Sequence, residues 1–256
     1  MFDALYVGAT GMRGQQLQID TIAHNIANLN TTGFRRGVLS FSEITAAAAE
    51  SAAATEASPS RLRGAGVLAS VVASSVPGEL KQTSELMNVG IDGLGFMEVV
   101  RADGTLAYTR AGNLTVNADG LLAAEGGVPL SARIQVPSDA REINIGPDGR
   151  VSILAGDDQD RIEIGQIELA AFPNPSALTA AGGSLYSASA EAGQPQVAVP
   201  GELGLGTLRQ GFIEGSNIQL TDELVTLLLA QRAFELNSRV IQAADQMLSI
   251  TNGLYR

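Results

Sequence analysis

The chain has 256 residues, of which 45% are hydrophobic and only 4% aromatic, so its core must consist mainly of aliphatic side chains. Its 16 Lys and Arg residues are outnumbered by 27 Asp and Glu residues, and a net charge of −11 disfavours binding to nucleic-acid phosphates or anionic lipid. Cysteine is absent, which excludes disulfides and thiolate chemistry, and no apolar stretch approaches the roughly 18–20 residues of a membrane-spanning helix.

The first segment predicts an α-helix with one apolar seam. Apolar residues recur there in steps of three and four, with an interruption at Gln16, at Phe2, Leu5, Ala9, Met12, Ile19, Ala23 and Ile26. Three glycines in its first half lower the intrinsic stability of the helix, each by up to about 1 kcal/mol relative to alanine. We therefore expect this helix to need a packing partner. The segment lacks the basic and apolar regions of a cleaved signal peptide, so none is expected.

The composition and the hydrophobic pattern of the chain change after the first predicted helix. Residues 46–60 contain eight alanines without an apolar period, which is typical of a connector or insertion. From Val67 to about Pro200 the pattern is one of short strands and turns. The strongest hairpin signals are three Asp-Gly pairs, at residues 103–104, 119–120 and 148–149.

The last segment predicts a second, longer helix with two adjacent apolar stripes. The first stripe contains Leu220, Leu224, Leu227, Phe234, Ile241 and Leu248. The second stripe contains Val225, Leu229, Leu236, Val240, Ala243, Met247, Ile250 and Leu254. Two stripes form an apolar face that is too wide for a single partner helix, so self-association or assembly with similar chains is expected.

These patterns together predict an α+β fold. The N- and C-terminal helices are expected to pair as a coiled-coil stalk, with a β-rich domain between them in the sequence. The predicted divisions are a helical polymerisation core (1–40 and 211–256), an Ala-rich connector or insertion (41–66) and a β-rich outer domain (67–210). The residues expected at the subunit interface are Phe2, Leu5, Met12, Ile19, Ile26, Leu220, Leu224, Leu227, Phe234, Ile241 and Leu248.

Catalytic, metal-binding and cofactor-binding patterns are not found in the sequence. His24 is the single histidine and has no accompanying nucleophile motif. The acidic cluster at 157–160 lacks the glycine and distal glutamate of a calcium loop. The glycine-rich stretch 90–95 leads into a strand, whereas a phosphate-binding loop leads into a helix. We therefore expect no enzyme activity, no metal and no cofactor.

Three motifs carry a family resemblance that covers nearly the whole chain. Residues 25–35 (NIANLNTTGFR) are similar to the N-terminal signature of bacterial flagellar axial proteins, the family of rod, hook and hook-associated subunits. Residues 211–218 (GFIEGSNI) are similar to the family's C-terminal motif, and residues 91–96 and 108–113 to its central part. The signature residues are Asn25, Asn28, Thr31, Gly33, Phe34, Ser216 and Asn217.

The resemblance implies a structural subunit of the flagellar basal-body rod. The chain is short for a hook subunit, and residues 230–238 are similar in sequence to the subunits of the distal rod. The resemblance therefore favours a distal position in the rod, and a proximal position is the alternative. The implied location is the periplasm-spanning rod, reached through the flagellar type III export apparatus without signal cleavage. The implied partners are further copies of the chain, proximal rod proteins, hook protein and the ring proteins of the wall and outer membrane.

Two other functional classes stay open at this stage. One is an enzyme that cleaves the cell wall with two carboxylates in the β domain, since a chain with 27 acidic residues always offers carboxylate pairs. The other is a secreted fibre or adhesin subunit.

Overall fold

A computed structural model describes residues 2–44, 66–155 and 161–254 of the chain. Within these ranges the chain forms two long helices, α1 (Phe2–Ala27) and α2 (Leu220–Leu254). The strands, in chain order, are β1 (Gly37–Ile44), β2 (Gly66–Ala73), β3 (Leu80–Gln82), β4 (Val89–Asp92), β5 (Phe96–Val100), β6 (Leu106–Thr109), β7 (Thr115–Val116), β8 (Leu122–Ala123), β9 (Ala140–Ile145), β10 (Arg150–Ala155), β11 (Arg161–Gln166), β12 (Leu169–Ala171), β13 (Thr179–Gly182), β14 (Leu185–Ser187), β15 (Gln196–Ala198), β16 (Thr207–Gln210) and β17 (Phe212–Glu214).

This element order confirms the predicted α+β class, with one helix at each end and strands between them. The predicted connector at 46–60 and the acidic cluster at 157–160 lie outside the described residues. Neither helix has, in its described part, an apolar run long enough to cross a membrane.

The described chain divides into two compact units. Of the described residues, the first unit, the helical unit, comprises 2–27, 37–44, 66–72 and 219–254, and the second, the β unit, comprises 28–36, 73–155 and 161–218. The structure thus places 28–36 and 211–218 with the strands, whereas the sequence-based division grouped both with the helices. The reason lies in long-range hydrogen bonds and ion pairs that join these segments to the strands, described below.

In the helical unit, α1 packs against α2, and β1 pairs with β2. The glycines of α1 permit a close approach of the two helices. A Cβ atom added at Gly8 would lie 3.2 Å from Cγ1 of Ile241, and one added at Gly11 would lie 3.7 Å from Nδ2 of Asn237. These glycines therefore weaken α1 as an isolated helix but allow its backbone to lie close to α2.

The β unit is built around a six-stranded sheet with the strand order β13-β14-β6-β5-β12-β15. A three-stranded sheet, β11-β10-β9, and the strand pairs β16-β4, β17-β3 and β7-β8 accompany it. The core is mainly aliphatic, as the composition requires, and its fully buried members include Ile91, Met97, Leu122, Leu169 and Leu208.

All three predicted Asp-Gly hairpins are confirmed. They connect the antiparallel pairs β5–β6, β7–β8 and β9–β10. Gly104, Gly120 and Gly149 have φ angles of +80°, +76° and +82°, a region that glycine enters without steric cost.

Candidate functional site

The second apolar stripe of α2 is exposed along the described length of the helix. The exposed fractions are 58% for Val225, 65% for Leu229, 61% for Leu236, 65% for Val240 and 65% for Ile250. Single exposed apolar residues are common on protein surfaces, but a continuous row along several helical turns indicates a surface that another protein covers. This row, from Val225 to Ile250, is termed the exposed stripe below.

The residues predicted at the subunit interface occupy a different side of the helices. Ile241 of the first α2 stripe lies against Gly8 of α1, and Leu227 and Phe234 of the same stripe are half-buried. Leu220 and Leu224, near the start of α2, are 42% and 45% exposed.

In α1 the predicted interface residues Met12, Ile19 and Ile26 are half-buried. The side chains of Phe2, Leu5 and Leu248 lie outside the described part of the structure. Of the predicted set, Ile241 thus contributes to the packing between α1 and α2, and the role of the set at a subunit interface stays a prediction.

The signature segments meet in the β unit around one buried carboxylate. Nη2 of Arg35 lies 3.0 Å from Oε1 of Glu214, and Nε of Arg110 lies 2.6 Å from Oε2 of the same residue. All three side chains are at most 3% exposed. The three residues, termed the Arg-Glu-Arg cluster, come from the N-terminal signature, the central motif and the C-terminal motif.

The remaining donors of the cluster are directed mainly at backbone carbonyls. Arg110 donates from Nη2 to the carbonyl oxygen of Gly93 at 2.7 Å, and Arg35 donates from Nη1 to that of Val76. Burial lowers the pKa of the Arg35 guanidinium from its ordinary value; the like charge of Arg110 lowers it further, and Glu214 opposes both effects. With two guanidinium groups and one carboxylate, the cluster has a net charge of +1.

The carboxylate of Glu214 is already used by protein donors. Its Oε1 accepts from the backbone N–H of Gly78 at 2.8 Å in addition to Arg35, while Oε2 accepts from Arg110. A carboxylate held by these three donors has a structural part in the β unit. The cluster therefore gives no support to the interpretation of the chain as a carboxylate-dependent enzyme.

Gly33 also connects the N-terminal signature to Glu214. Its N–H donates to the backbone oxygen of Glu214 at 2.9 Å, and its φ angle is +65°. A Cβ atom at this position would lie only 2.6 Å from the backbone nitrogen of Ala111. Both the backbone conformation and the lack of space therefore require glycine here.

The Gly33→Ala substitution should destabilise the β unit by at least about 2 kcal/mol, because backbone strain and a clash with Ala111 act together. The matched control is Gly104→Ala, where φ is +80° but no atom lies within 4 Å of the added Cβ. The control should be destabilised by backbone strain alone, which costs about 1 kcal/mol. Urea unfolding of both variants measures the difference, and equal losses would contradict the assigned clash.

Asn217 of the C-terminal motif also contacts the N-terminal signature. Its Oδ1 accepts from the backbone N–H of Arg36 at 2.7 Å, and its Nδ2 donates to the carbonyl oxygen of Val76 at 2.8 Å. Its neighbour Ser216 is half-buried, and its Oγ has no hydrogen-bond partner among the described residues. One amide side chain thus holds two segments that are distant in sequence.

The turn after α1 is formed by other signature residues. The backbone N–H of Thr31 donates to the oxygen of Asn28 at 3.2 Å, and the Thr31 hydroxyl donates to Oδ1 of Asn28, also at 3.2 Å. Phe34 is half-buried, and its N–H donates to the oxygen of Thr31 at 3.4 Å. These contacts confirm that the segment forms a helix stop followed by a turn.

Asn25 is the signature residue at the centre of the helical unit. Its Nδ2 donates to the carbonyl oxygen of Gly37 and its Oδ1 accepts from the N–H of Gly37, both at 2.9 Å. Its Nδ2 also lies 3.4 Å from Oε2 of the buried Glu223. An amide side chain can pair with both backbone groups of one residue in this way, so Asn25 links α1 to β1.

The Asn25→Ala substitution should weaken the start of β1, because it leaves the N–H and carbonyl of Gly37 without these partners. The expected cost is about 1–3 kcal/mol, and the Gly37 amide should exchange with solvent about tenfold faster or more. Asn30→Ala, at an exposed position of the following turn, is the control and should leave this rate unchanged. If both variants exchange alike, Asn25 does not have the assigned role.

Sequence reasoning missed the charged members of the Arg-Glu-Arg cluster as site residues. Glu214 lies in the C-terminal motif, Arg110 lies in the central motif, and Arg35 ends the N-terminal signature. A signal was present for Arg110 and Glu214, because each is the single charged residue of its motif and lies next to an apolar residue or glycine. Arg35 is followed by a second arginine, Arg36, and lacks this signal. Charge in such surroundings indicates burial with a partner, although it does not identify that partner.

The described residues contain no group of three or more metal-binding side chains, and His24 lies on an exposed part of α1. The glycine-rich stretch 90–95 connects β4 to β5, so no helix N-terminus follows it. The described residues thus contain buried polar contacts that join distant segments of the chain, together with an exposed apolar stripe on α2.

Three family models match consecutive parts of the chain. Residues 5–35 match the flagella basal body rod protein model, and residues 90–153 match the flagellar hook protein FlgE/F/G D1 domain. Residues 209–254 match the C-terminal model of the flagellar basal body rod FlgEFG proteins.

Curated relatives resemble the chain over its full length. The flagellar basal-body rod protein FlgG of Borreliella burgdorferi is 37% identical over 265 residues, which cover 100% of both chains. FlgG of Caulobacter vibrioides is 37% identical over 98% of both chains, and FlgG of Bacillus subtilis is 35% identical over 97% of both. The flagellar hook-basal body complex protein FlhP of Bacillus subtilis is 27% identical over 99% of this chain.

Proposed function

This chain belongs to the flagellar basal-body rod protein family, and from this premise we propose that it forms the distal part of the rod. It is a structural subunit of the flagellar basal body and not an enzyme. The relatives named above that share 35–37% of its residues are all rod proteins called FlgG, which supports a position shared with them.

The exposed stripe of α2 is the observation that carries the proposed mechanism. A rod subunit has to bind further copies of itself, and apolar surface that is exposed in the free subunit can be buried at such contacts. Full burial of a leucine side chain contributes about 1.5–3 kcal/mol, so each leucine of the stripe adds to the stability of such a contact. The occupant of the stripe in this proposal is a second copy of the chain.

The predicted division of labour within the subunit is part of the proposal. The helices would pair as a coiled coil and form the polymerisation core, and the β-rich residues 67–210 would form the outer part of the rod. The packing of α1 against α2 supports the pairing, since Gly8 permits contact with Ile241.

The basal body contains this protein together with other flagellar components. The finer assignment is proposed from family membership: the subunit spans the periplasm in the rod and is exported without signal cleavage by the type III apparatus. Its neighbours would be the proximal rod proteins, the hook protein and the ring proteins of the wall and outer membrane.

Electron cryo-tomography of basal bodies, in cells with and without the gene, tests this proposal. Loss of the outer rod segment with an intact inner rod is the expected result, because proximal subunits would assemble first. Loss of the whole rod would assign the chain to a proximal position. Intact rods and hooks would overturn a role in rod assembly.

A further inference from the structure

The β unit contains a cavity that rod assembly leaves unexplained. Its volume is about 240 Å³, and Arg35, Arg110, Phe96, Phe172, Leu178 and Tyr186 contribute to its lining. The two arginines belong to the Arg-Glu-Arg cluster, so a charged surface and an apolar surface meet in one cavity.

The charged surface of the cavity is positive. Two guanidinium groups share the single carboxylate of Glu214, which leaves one positive charge without a counter-ion in the cluster. Arg35 is buried, and its Nε has no hydrogen-bond partner among the described residues. No acidic side chain is among the described residues that line the cavity. A buried charge is normally balanced by an opposite charge, so the unbalanced positive charge of the cluster favours an anion in this cavity.

Aromatic side chains form another part of the lining. The ring of Phe96 lies 6.0 Å from those of Phe172 and Tyr186, in edge-to-face geometry with both. The guanidinium of Arg110 lies over the Phe96 ring, with its central carbon 5.7 Å from the ring centroid. These contacts fix the aromatic side chains in place, so the wall is formed before any ligand binds.

From this combination we propose that the cavity binds a carboxylate carried on an apolar group about as large as one aromatic ring. Arginine forms strong, directional hydrogen bonds with carboxylates. Size fits as well, because a cavity of about 150 Å³ in another protein already holds a benzene molecule. One negative charge would neutralise the cluster, whereas a second would lie against the aromatic wall without a partner. The site should therefore select monocarboxylates over dicarboxylates and dianionic phosphates.

Benzoate is the probe, and benzamide is its neutral control of nearly the same shape. Benzoate titrated into the purified full-length chain should bind saturably at millimolar concentrations and shift the NMR signals of Phe96, Phe172 and Tyr186. Benzamide should bind at least about tenfold more weakly, because it brings no charge to the two arginines.

Leu94 provides a matched pair of variants at the cavity. Its side chain is 61% exposed and contributes to the lining, so substitutions there should leave the fold intact. Leu94→Glu places a negative charge near the bound carboxylate and should weaken benzoate binding about fivefold or more. Leu94→Gln has nearly the same shape without the charge and should weaken it far less.

The outcomes are distinct from those of the rod proposal. Saturable benzoate binding, weaker for benzamide and for Leu94→Glu, supports the site. Absence of saturable binding at tens of millimolar benzoate, or equal binding of benzamide, overturns it. A second titration, into isolated basal bodies, identifies the natural source of the carboxylate. Binding to the free subunit alone indicates that a segment of a neighbouring copy, with a carboxylate next to an apolar side chain, occupies the cavity in the rod. Binding in both states indicates a free organic acid.

Discussion

Replacement of Glu214 by glutamine should destabilise the β unit by about 3–5 kcal/mol. The substitution removes the one negative charge between Arg35 and Arg110 and leaves two guanidinium groups facing each other, with all three side chains at most 3% exposed. Removal of one partner from a buried ion pair costs far more stability than replacement of both partners by apolar residues, because the remaining charge stays buried without a partner. Since the free energy of unfolding of a protein is about 5–15 kcal/mol, the substitution would remove a large share of it.

Urea unfolding followed by circular dichroism measures this loss. The control is Asp92→Asn, which removes the carboxylate of an ion pair of 2.9 Å with Arg209, where the side chains are 45% and 54% exposed. Solvent screens such a pair, so the control should lose less than about 1 kcal/mol. Glu214→Gln losing no more than the control would show that the buried cluster has no special contribution.

The largest expected effect on function comes from the exposed stripe. A double variant, Leu229→Asp with Leu236→Asp, should produce no rods and non-motile cells, while the free subunit stays as stable as the original. The two side chains are 65% and 61% exposed, so the fold does not depend on their burial. Loss of two buried leucines from every subunit contact should raise the subunit concentration required for assembly at least about a hundredfold.

Swimming assays and electron microscopy of basal bodies measure assembly, and urea unfolding measures the stability of the subunit. The control replaces Gln231 and Gln242, both exposed on the same helix, by aspartate and adds the same charge. Normal rods in the leucine variant, or equal loss of rods in both variants, would falsify the assignment of the stripe. Leu227 and Phe234 are less suitable for this test, since they are half-buried within the subunit and their replacement would also affect its stability.

Features that depend on local patterns could be predicted from the amino-acid sequence. Apolar residues in steps of three and four specify α1 and α2, because the α-helix repeats every 3.6 residues. The Asp-Gly pairs specify three hairpins, because glycine enters the positive φ region that tight turns require. The signatures at the two ends of the chain were sufficient to indicate the family, which the relatives confirm.

The contacts between residues that are distant in sequence became visible in the folded chain. Arg110 and Glu214 are 104 positions apart, and neither residue type nor spacing indicates that they share a buried ion pair with Arg35. The sequence likewise shows two apolar stripes on α2, but only the packing on α1 determines that the stripe of Leu229 and Leu236 is the exposed one. Burial and pairing are properties of long-range contacts, and long-range contacts have no local period from which they could be predicted.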